Sequence, residues 1–105
     1  MEQRITAVRG DTITFGIQID GVSSLDSAYF SCKKNYDDAD YTFQKSIGDG
    51  ISLVDGVYVV RVAPSDTKNL ECGDYYYDLQ IGKNSDIFTI LKGVLTLEHD
   101  VTREG

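Results

Sequence analysis

The sequence predicts an all-β protein, an antiparallel β-sandwich of about seven strands with one short helical turn near residues 64–70. Apolar and polar residues alternate along most of the chain, and the apolar positions are rich in β-branched and aromatic residues. Turn signals separate these stretches at intervals of about 8–12 residues. At 105 residues the chain is long enough for one domain, which we expect to span residues 1–105.

The first two strands are predicted on either side of the tripeptide Arg9-Gly10-Asp11. The stretch RITAV precedes it, and the alternating residues that follow are Ile13, Phe15, Ile17 and Ile19. An RGD tripeptide can serve as an adhesion ligand when it lies in an extended, exposed loop. Here Gly10 can adopt a positive φ and Asp11 can hydrogen-bond the backbone just beyond it, so we interpret RGD as a short turn.

The next strands lie between glycine- and aspartate-rich turns. In AYFSCKK the residues on one face are Ala28, Phe30 and Cys32, so we expect Cys32 to be a core thiol. Two short strands, FQKSIG and GISLVDG, follow an acidic loop, and Gly48-Asp49-Gly50 is predicted to join them as a hairpin turn. The stretch VYVVRVA is a strong strand pattern.

A helical turn is predicted where PSDTKNL interrupts the alternation. Pro64 suits the first helical position, Asp66 lies where the helix dipole favours an anion, and Leu70 would anchor the turn to the core. The last strand, DIFTILKGVLTLEHDV, is predicted to be bent at Gly93 by a β-bulge.

The stretch GDYYYDLQIG is the strongest strand pattern, with Tyr75, Tyr77, Leu79 and Ile81 on one side. The helical turn followed by Gly73-Asp74-Tyr75 resembles the corner before the sixth strand of immunoglobulin-like sandwiches. In that corner a tyrosine hydroxyl satisfies backbone groups upstream while its ring fills the core. Either Tyr75 or Tyr77 is the candidate for this role.

Charge and hydropathy exclude several functions. The formal net charge is −7, and the basic residues are scattered, which argues against nucleic acid and anionic membranes as partners. No stretch approaches the roughly 20 apolar residues of a membrane-spanning helix. The N-terminus has no signal-type apolar run, so we expect a cytoplasmic protein in which Cys32 and Cys72 are free thiols.

We expect neither catalysis nor a cofactor. The sequence has no nucleophile elbow, P-loop or dinucleotide fingerprint, and the lone His99 near the C-terminus is expected at the surface. Asp37, Asp38 and Asp40 could bind calcium, but their loop lacks the glycine and distal glutamate of a helix–loop–helix site. A solvated acidic loop is the preferred interpretation, so no metal is expected.

The run Tyr75-Tyr76-Tyr77 suggests a sugar-binding platform at first sight. Neighbouring strand residues point to opposite faces, so at most Tyr76 of the three would be exposed. The tyrosines that could join it at the surface are Tyr36, Tyr41 and Tyr58.

Three segments, RGDTITFGI, LVDGVYVVRVAPSDTKNLECGDYYYDLQI and FTILKGVLTLEHDVTRE, resemble small bacteriophage and prophage structural proteins with immunoglobulin-like domains. The likeness implies a virion protein of the tail, baseplate or head. It would be assembled in the bacterial cytoplasm, with other virion proteins as partners and homo-oligomers possible. The expected contact elements are the N-terminal edge from Arg4 to Arg9 and the tail Thr102-Arg103-Glu104.

Two alternatives stay open at this point. One is a carbohydrate-binding or host-surface adhesion module, for which a coplanar set of exposed tyrosines or a calcium site would speak. The other is a sandwich domain of a bacterial cytoplasmic complex unrelated to phage.

Overall fold

The computed structural model describes residues 3–18 and 25–99, which contain eight strands and one helical turn. The strands are β1 (Ile5–Val8), β2 (Ile13–Ile17), β3 (Ser27–Lys33), β4 (Phe43–Ile47), β5 (Gly50–Val54), β6 (Val57–Val62), β7 (Gly73–Lys83) and β8 (Asp86–Glu98). The helical turn, α1, covers Pro64–Thr67 between β6 and β7.

The strands form one hydrogen-bonded ladder in the order β1-β8-β7-β3-β4-β5-β6-β2. β4 and β5 pair at only two positions, Ser46 with Gly50 and Ile47 with Ile51, so the ladder can fold over at this junction. The end strand β2 therefore packs over β3, where the ring centroids of Phe15 and Phe30 lie 5.4 Å apart. The predicted β-sandwich is confirmed.

The core lies between the two layers and follows the period-2 pattern of the strands. Along β3 and β7 every second residue is buried, as the alternation predicts. The buried apolar residues are Leu25, Ala28, Phe30, Cys32, Phe43, Ile51, Tyr58, Val60, Val62, Tyr75, Tyr77, Leu79, Ile81, Leu95 and Leu97.

The predicted hairpin at Gly48-Asp49-Gly50 is wrong. Gly48 and Gly50 do adopt positive φ, at 86° and 99°, but β5 leaves the turn parallel to β4. The chain crosses here from one layer of the sandwich to the other. Glycines at these positions predict that the chain turns, but they do not specify the direction in which the next strand runs or the strand with which it pairs.

The predicted bulge at Gly93 is also misplaced. The register of β7 and β8 shifts between Leu79 and Gln80, where Ile90 is the extra residue on β8. Gly93 instead lies under the N-terminal segment, because a Cβ at this position would collide with the backbone of Gln3. The Gln3 amide donates to the Lys92 carbonyl at 2.9 Å, so the N-terminal segment lies against β8.

The helical turn begins at Pro64, as predicted. The Asp66 carboxylate accepts a hydrogen bond from the Ala63 amide at 2.8 Å and lies 2.7 Å from the Lys45 ammonium group. This partly buried ion pair attaches α1 to β4, while Leu70 packs against the core. No helix among residues 3–18 and 25–99 is long and apolar enough to cross a bilayer.

The RGD tripeptide forms a turn between β1 and β2, as predicted. Gly10 has a φ of 86°, and its amide donates to the hydroxyl of the fully buried Thr67 at 2.9 Å. The Arg9 guanidinium donates to the Leu70 carbonyl at 3.1 Å. Both bonds connect the turn to the α1 segment, so they hold Arg9 against the domain rather than presenting it in an extended loop.

Of the two corner candidates, Tyr75 occupies the corner. Its hydroxyl donates to the Glu71 carbonyl at 2.7 Å, four residues upstream, while its ring is buried. Gly73, which opens β7, has a φ of 132°, a value that favours glycine. The Tyr77 hydroxyl donates to the Gln3 carbonyl at 2.5 Å and so holds the N-terminal segment on the sandwich.

We expect Tyr75→Phe to lower the free energy of unfolding by about 1 kcal/mol, because the Glu71 carbonyl loses its donor. The matched control is Tyr76→Phe, in which the ring lies on the opposite face of the same strand. This change should cost less than about 0.5 kcal/mol. Urea unfolding followed by circular dichroism measures both, and equal losses would contradict the corner role of Tyr75.

Candidate interaction surface

The outer side of β3, β4 and β7 carries a cluster of tyrosines. Tyr29 on β3 and Tyr76 on β7 point outward because their sequence neighbours point into the core. Tyr36 and Tyr41 come from the segment between β3 and β4, and Tyr36 is 73% exposed. We define the tyrosine face by these four residues.

Contacts between aromatic and charged groups hold the β3–β4 segment against the sheet. The rings of Tyr36 and Tyr76 stack with centroids 4.0 Å apart and an interplanar angle of 24°. The Lys33 ammonium group lies 5.3 Å from the centroid of the Tyr41 ring, within cation–π range. The four rings therefore belong to one ordered surface, although two of them come from outside the strands.

A groove of about 620 Å³ runs along the tyrosine face. Its polar lining includes Ser31, Gln44, Asp78 and Gln80. The Gln44 amide nitrogen donates to the Ser31 hydroxyl at 2.9 Å. Hydrogen-bonding groups beside exposed rings make this surface suited to a partner that presents both polar and apolar groups.

Asp78 is the acidic residue that lines this groove. Burial raises the pKa of its carboxyl group, and the positive charge of Lys33 opposes that rise. The residue also lies opposite Lys92 on β8. Its partial burial means that ionisation already has a cost in the free domain.

The sequence-predicted tyrosines are not all brought together. Tyr36, Tyr41 and Tyr76 lie on the tyrosine face, whereas the expectation for Tyr58 is wrong because its ring is in the core. The Tyr58 hydroxyl accepts a hydrogen bond from the Leu25 amide at 2.8 Å. Sequence reasoning missed Tyr29, although its place between the buried Ala28 and Phe30 was a sufficient signal.

The three calcium candidates do not converge. Among the residues described, no three His, Cys, Asp or Glu side chains come close enough together to hold a metal ion. Asp38 instead accepts a hydrogen bond from the Asn35 amide at 3.0 Å, which closes its own turn. Asp37 and Asp40 are exposed.

Both cysteines are free thiols. Cys32 is fully buried, and desolvation raises the pKa of its thiol to about 12, which keeps it protonated. Cys72 is half-buried, with its sulfur 3.4 Å from Nδ1 of the exposed His99.

Both expected contact elements stay predictions. The N-terminal one contains β1, which is an end strand of the ladder, parallel to β8. The Arg4 guanidinium there donates to the Thr96 hydroxyl at 2.6 Å and lies 3.5 Å from the Asp74 carboxylate. Docking at this edge stays a prediction, and the tail at residues 102–104 lies outside the described residues.

Comparison with solved structures identifies the architecture. The chain is similar to the swine CD8aa homodimer, with a TM-score of 0.57, 14% identity, and coverage of 93% of this chain and 95% of that one. It is also similar to the NK cell receptor NKp44, with a TM-score of 0.54, 16% identity, and coverage of 93% and 99%. No family model and no curated protein sequence matches. The fold is therefore an immunoglobulin-like β-sandwich.

We expect Asp78→Asn to alter the pH dependence of stability. Burial raises the pKa of the Asp78 carboxyl in the folded state, so the folded protein binds the proton more tightly than the unfolded chain. The protonated carboxyl therefore contributes to stability below the unfolded pKa, and this contribution is lost as pH rises through the folded pKa. Relative to wild type, the variant should become more stable as pH increases from about 3 to 7. Urea unfolding at a series of pH values measures this difference. A difference that stays constant with pH would contradict the assignment.

Proposed function

We propose that this chain is a non-enzymatic protein-interaction domain and that the tyrosine face binds its partner. The observation that carries the proposal is the gathering of Tyr29, Tyr36, Tyr41 and Tyr76 along one groove. Tyrosine is enriched at protein interfaces because its ring offers a large contact area and its hydroxyl offers a hydrogen bond. A rigid ring also loses little conformational entropy on binding.

The charge of this surface supports a protein partner. The chain as a whole carries −7, yet the described residues that line the groove include one acidic residue, Asp78, and one basic residue, Lys33. A partner can therefore approach the tyrosine face without the repulsion that acts over an acidic surface. The Tyr36–Tyr76 stack holds two of the rings in place before binding, which lowers the ordering cost.

At a finer level, we propose that the partner is another virion protein and that the domain is a structural component of a phage or prophage particle. This proposal rests on the three sequence segments that resemble phage structural proteins. An immunoglobulin-like sandwich is physically suited to the role, since it offers a rigid face and strand edges for assembly without requiring a disulfide. Homo-oligomerisation is part of the same proposal, and the similar CD8aa structure is a homodimer.

We expect the double variant Tyr36→Ser/Tyr76→Ser to be lost from particles induced in the source bacterium. The matched control is Phe88→Ser, which removes a ring that is 51% exposed on β8 and does not line the tyrosine groove. Immunogold labelling with an antibody against the domain should show wild type and Phe88→Ser at one fixed site on the particle. Circular dichroism checks that each variant is folded.

The outcomes of this experiment separate the two levels of the proposal. If particles carry no label for the wild-type domain, the proposal that its partner is a virion protein is wrong. If wild type and Tyr36→Ser/Tyr76→Ser label particles equally, the tyrosine face is not the surface that binds the particle. If Tyr36→Ser/Tyr76→Ser and Phe88→Ser both lose particle labelling, the loss is not specific to the tyrosine face.

A carbohydrate-binding or adhesion module is the second candidate, because the same groove supplies ring faces beside amide and carboxylate groups. Sugars bind such surfaces by stacking on rings while their hydroxyls meet Gln44, Asp78 and Gln80. Glycan-array binding that the Tyr36→Ser/Tyr76→Ser variant loses would support this candidate. If the domain binds no glycan on the array, either with or without calcium, this candidate is excluded.

A further inference from the structure

Within residues 3–18 and 25–99, the core of the sandwich has an apolar groove on the side between β1 and β2. Seven apolar residues pack against the core while only partly buried. Six of them line a single groove of about 680 Å³, and these six are Ile5, Ile13, Phe15, Ile17, Ile90 and Leu91. These side chains leave apolar surface exposed to water in the groove. An additional strand that bound there would bury this surface and so be stabilised.

β2 forms one wall of this groove and is an end strand of the ladder, paired with β6 alone among the described strands. Its other edge therefore presents backbone groups that can pair with an incoming strand. Edge strands are usually protected by charged residues, proline or a bulge. Residues 12–18 contain no charged residue and no proline, and the pairing of β2 with β6 has a continuous register.

The sequence of this edge is self-complementary about Phe15. In an antiparallel pairing with a two-fold axis at Phe15, Ile13 would lie opposite Ile17 of the other copy, and Thr14 opposite Gly16. The outermost pair would be Thr12 with Gln18. Apolar residues would thus pair with apolar residues, and polar or small residues with polar or small ones. An isologous interface requires such a self-complementary surface.

Charge also favours a second copy at β2. Two copies that each carry −7 repel one another over most of their surface, and an uncharged edge avoids a direct clash of like charges. The other end of the ladder, β1, is flanked by Arg4 and Arg9. Self-pairing there would crowd two guanidinium groups that already bond within their own copy, Arg4 to Thr96 and Asp74, and Arg9 to Leu70.

We propose that β2 pairs antiparallel with β2 of a second copy of this chain, so that the layers β5-β6-β2 of the two copies join into one six-stranded sheet. The inward residues of both β2 strands would then form one continuous apolar layer. This interface is separate from the tyrosine face, which stays free for its own partner. The β2 contact supplies an interface for the homo-oligomerisation proposed above and rests on that part of the proposed function. It uses none of the residues of the tyrosine face, so partner binding at that face and self-pairing at β2 can fail separately.

Sedimentation equilibrium over a wide concentration range tests the dimer. Wild type should dimerise, and Thr14→Lys should weaken the dimer by about tenfold or more, because it places a cation on each copy of the new strand pair. The matched control is Thr6→Lys on β1, an exposed threonine of the opposite end strand, and it should change the dissociation constant by less than about twofold. Thr14→Val, which raises β-propensity, should tighten the dimer.

Hydrogen exchange locates the contact independently of substitution. The amides of residues 13–17 should exchange more slowly at high protein concentration, while those of β1 should not change. A chain that stays monomeric at every concentration would overturn the proposal. So would a dimer that survives Thr14→Lys but is lost in Tyr36→Ser/Tyr76→Ser, since that result would assign self-association to the tyrosine face.

Discussion

The burial of Phe30 is the interaction on which the rest of the structure depends. Its ring meets Phe15 of the opposite layer at 5.4 Å, and Tyr77 and Phe43 of its own layer at 5.4 and 6.2 Å. These contacts join the two layers of a ladder that is continuous only through the narrow β4–β5 junction. Because strand residues alternate between faces, placing Phe30 inward also places Tyr29 outward.

Core packing and surface chemistry are therefore linked in this domain. On β7 the same alternation that buries Tyr75 and Tyr77 points Tyr76 outward, where the Tyr36 ring stacks on it and leaves it half-buried. The three consecutive tyrosines have three different roles. Tyr75 closes the corner, Tyr76 forms part of the tyrosine face, and Tyr77 holds Gln3. The same substitution therefore has a different effect at each position: on the corner at Tyr75, on the tyrosine face at Tyr76, and on the N-terminal segment at Tyr77.

The open side of the sandwich has a different character from the tyrosine face. The tyrosine face is polar and aromatic, and hydrogen bonds and ring stacking already order its side chains. The groove beside β2 is mainly aliphatic and lies at an unpaired strand edge. Under the two proposals above, each surface has its own partner, a second copy at β2 and another protein at the tyrosine face.

Local spacing along the chain was enough to predict the strands, the inward residues of β3 and β7, the Pro64 turn and the turn at Gly10, because each depends on neighbouring residues alone. The sequence by itself also determined that Tyr76 points away from the core. Only the tertiary structure decided the parallel exit at Gly50, the bulge at Ile90 and the burial of Tyr58, since these depend on which strands become neighbours. It likewise decided that Tyr36 and Tyr41 join Tyr29 and Tyr76, because period-2 alternation fixes the face of a strand residue and says nothing about where a loop folds back.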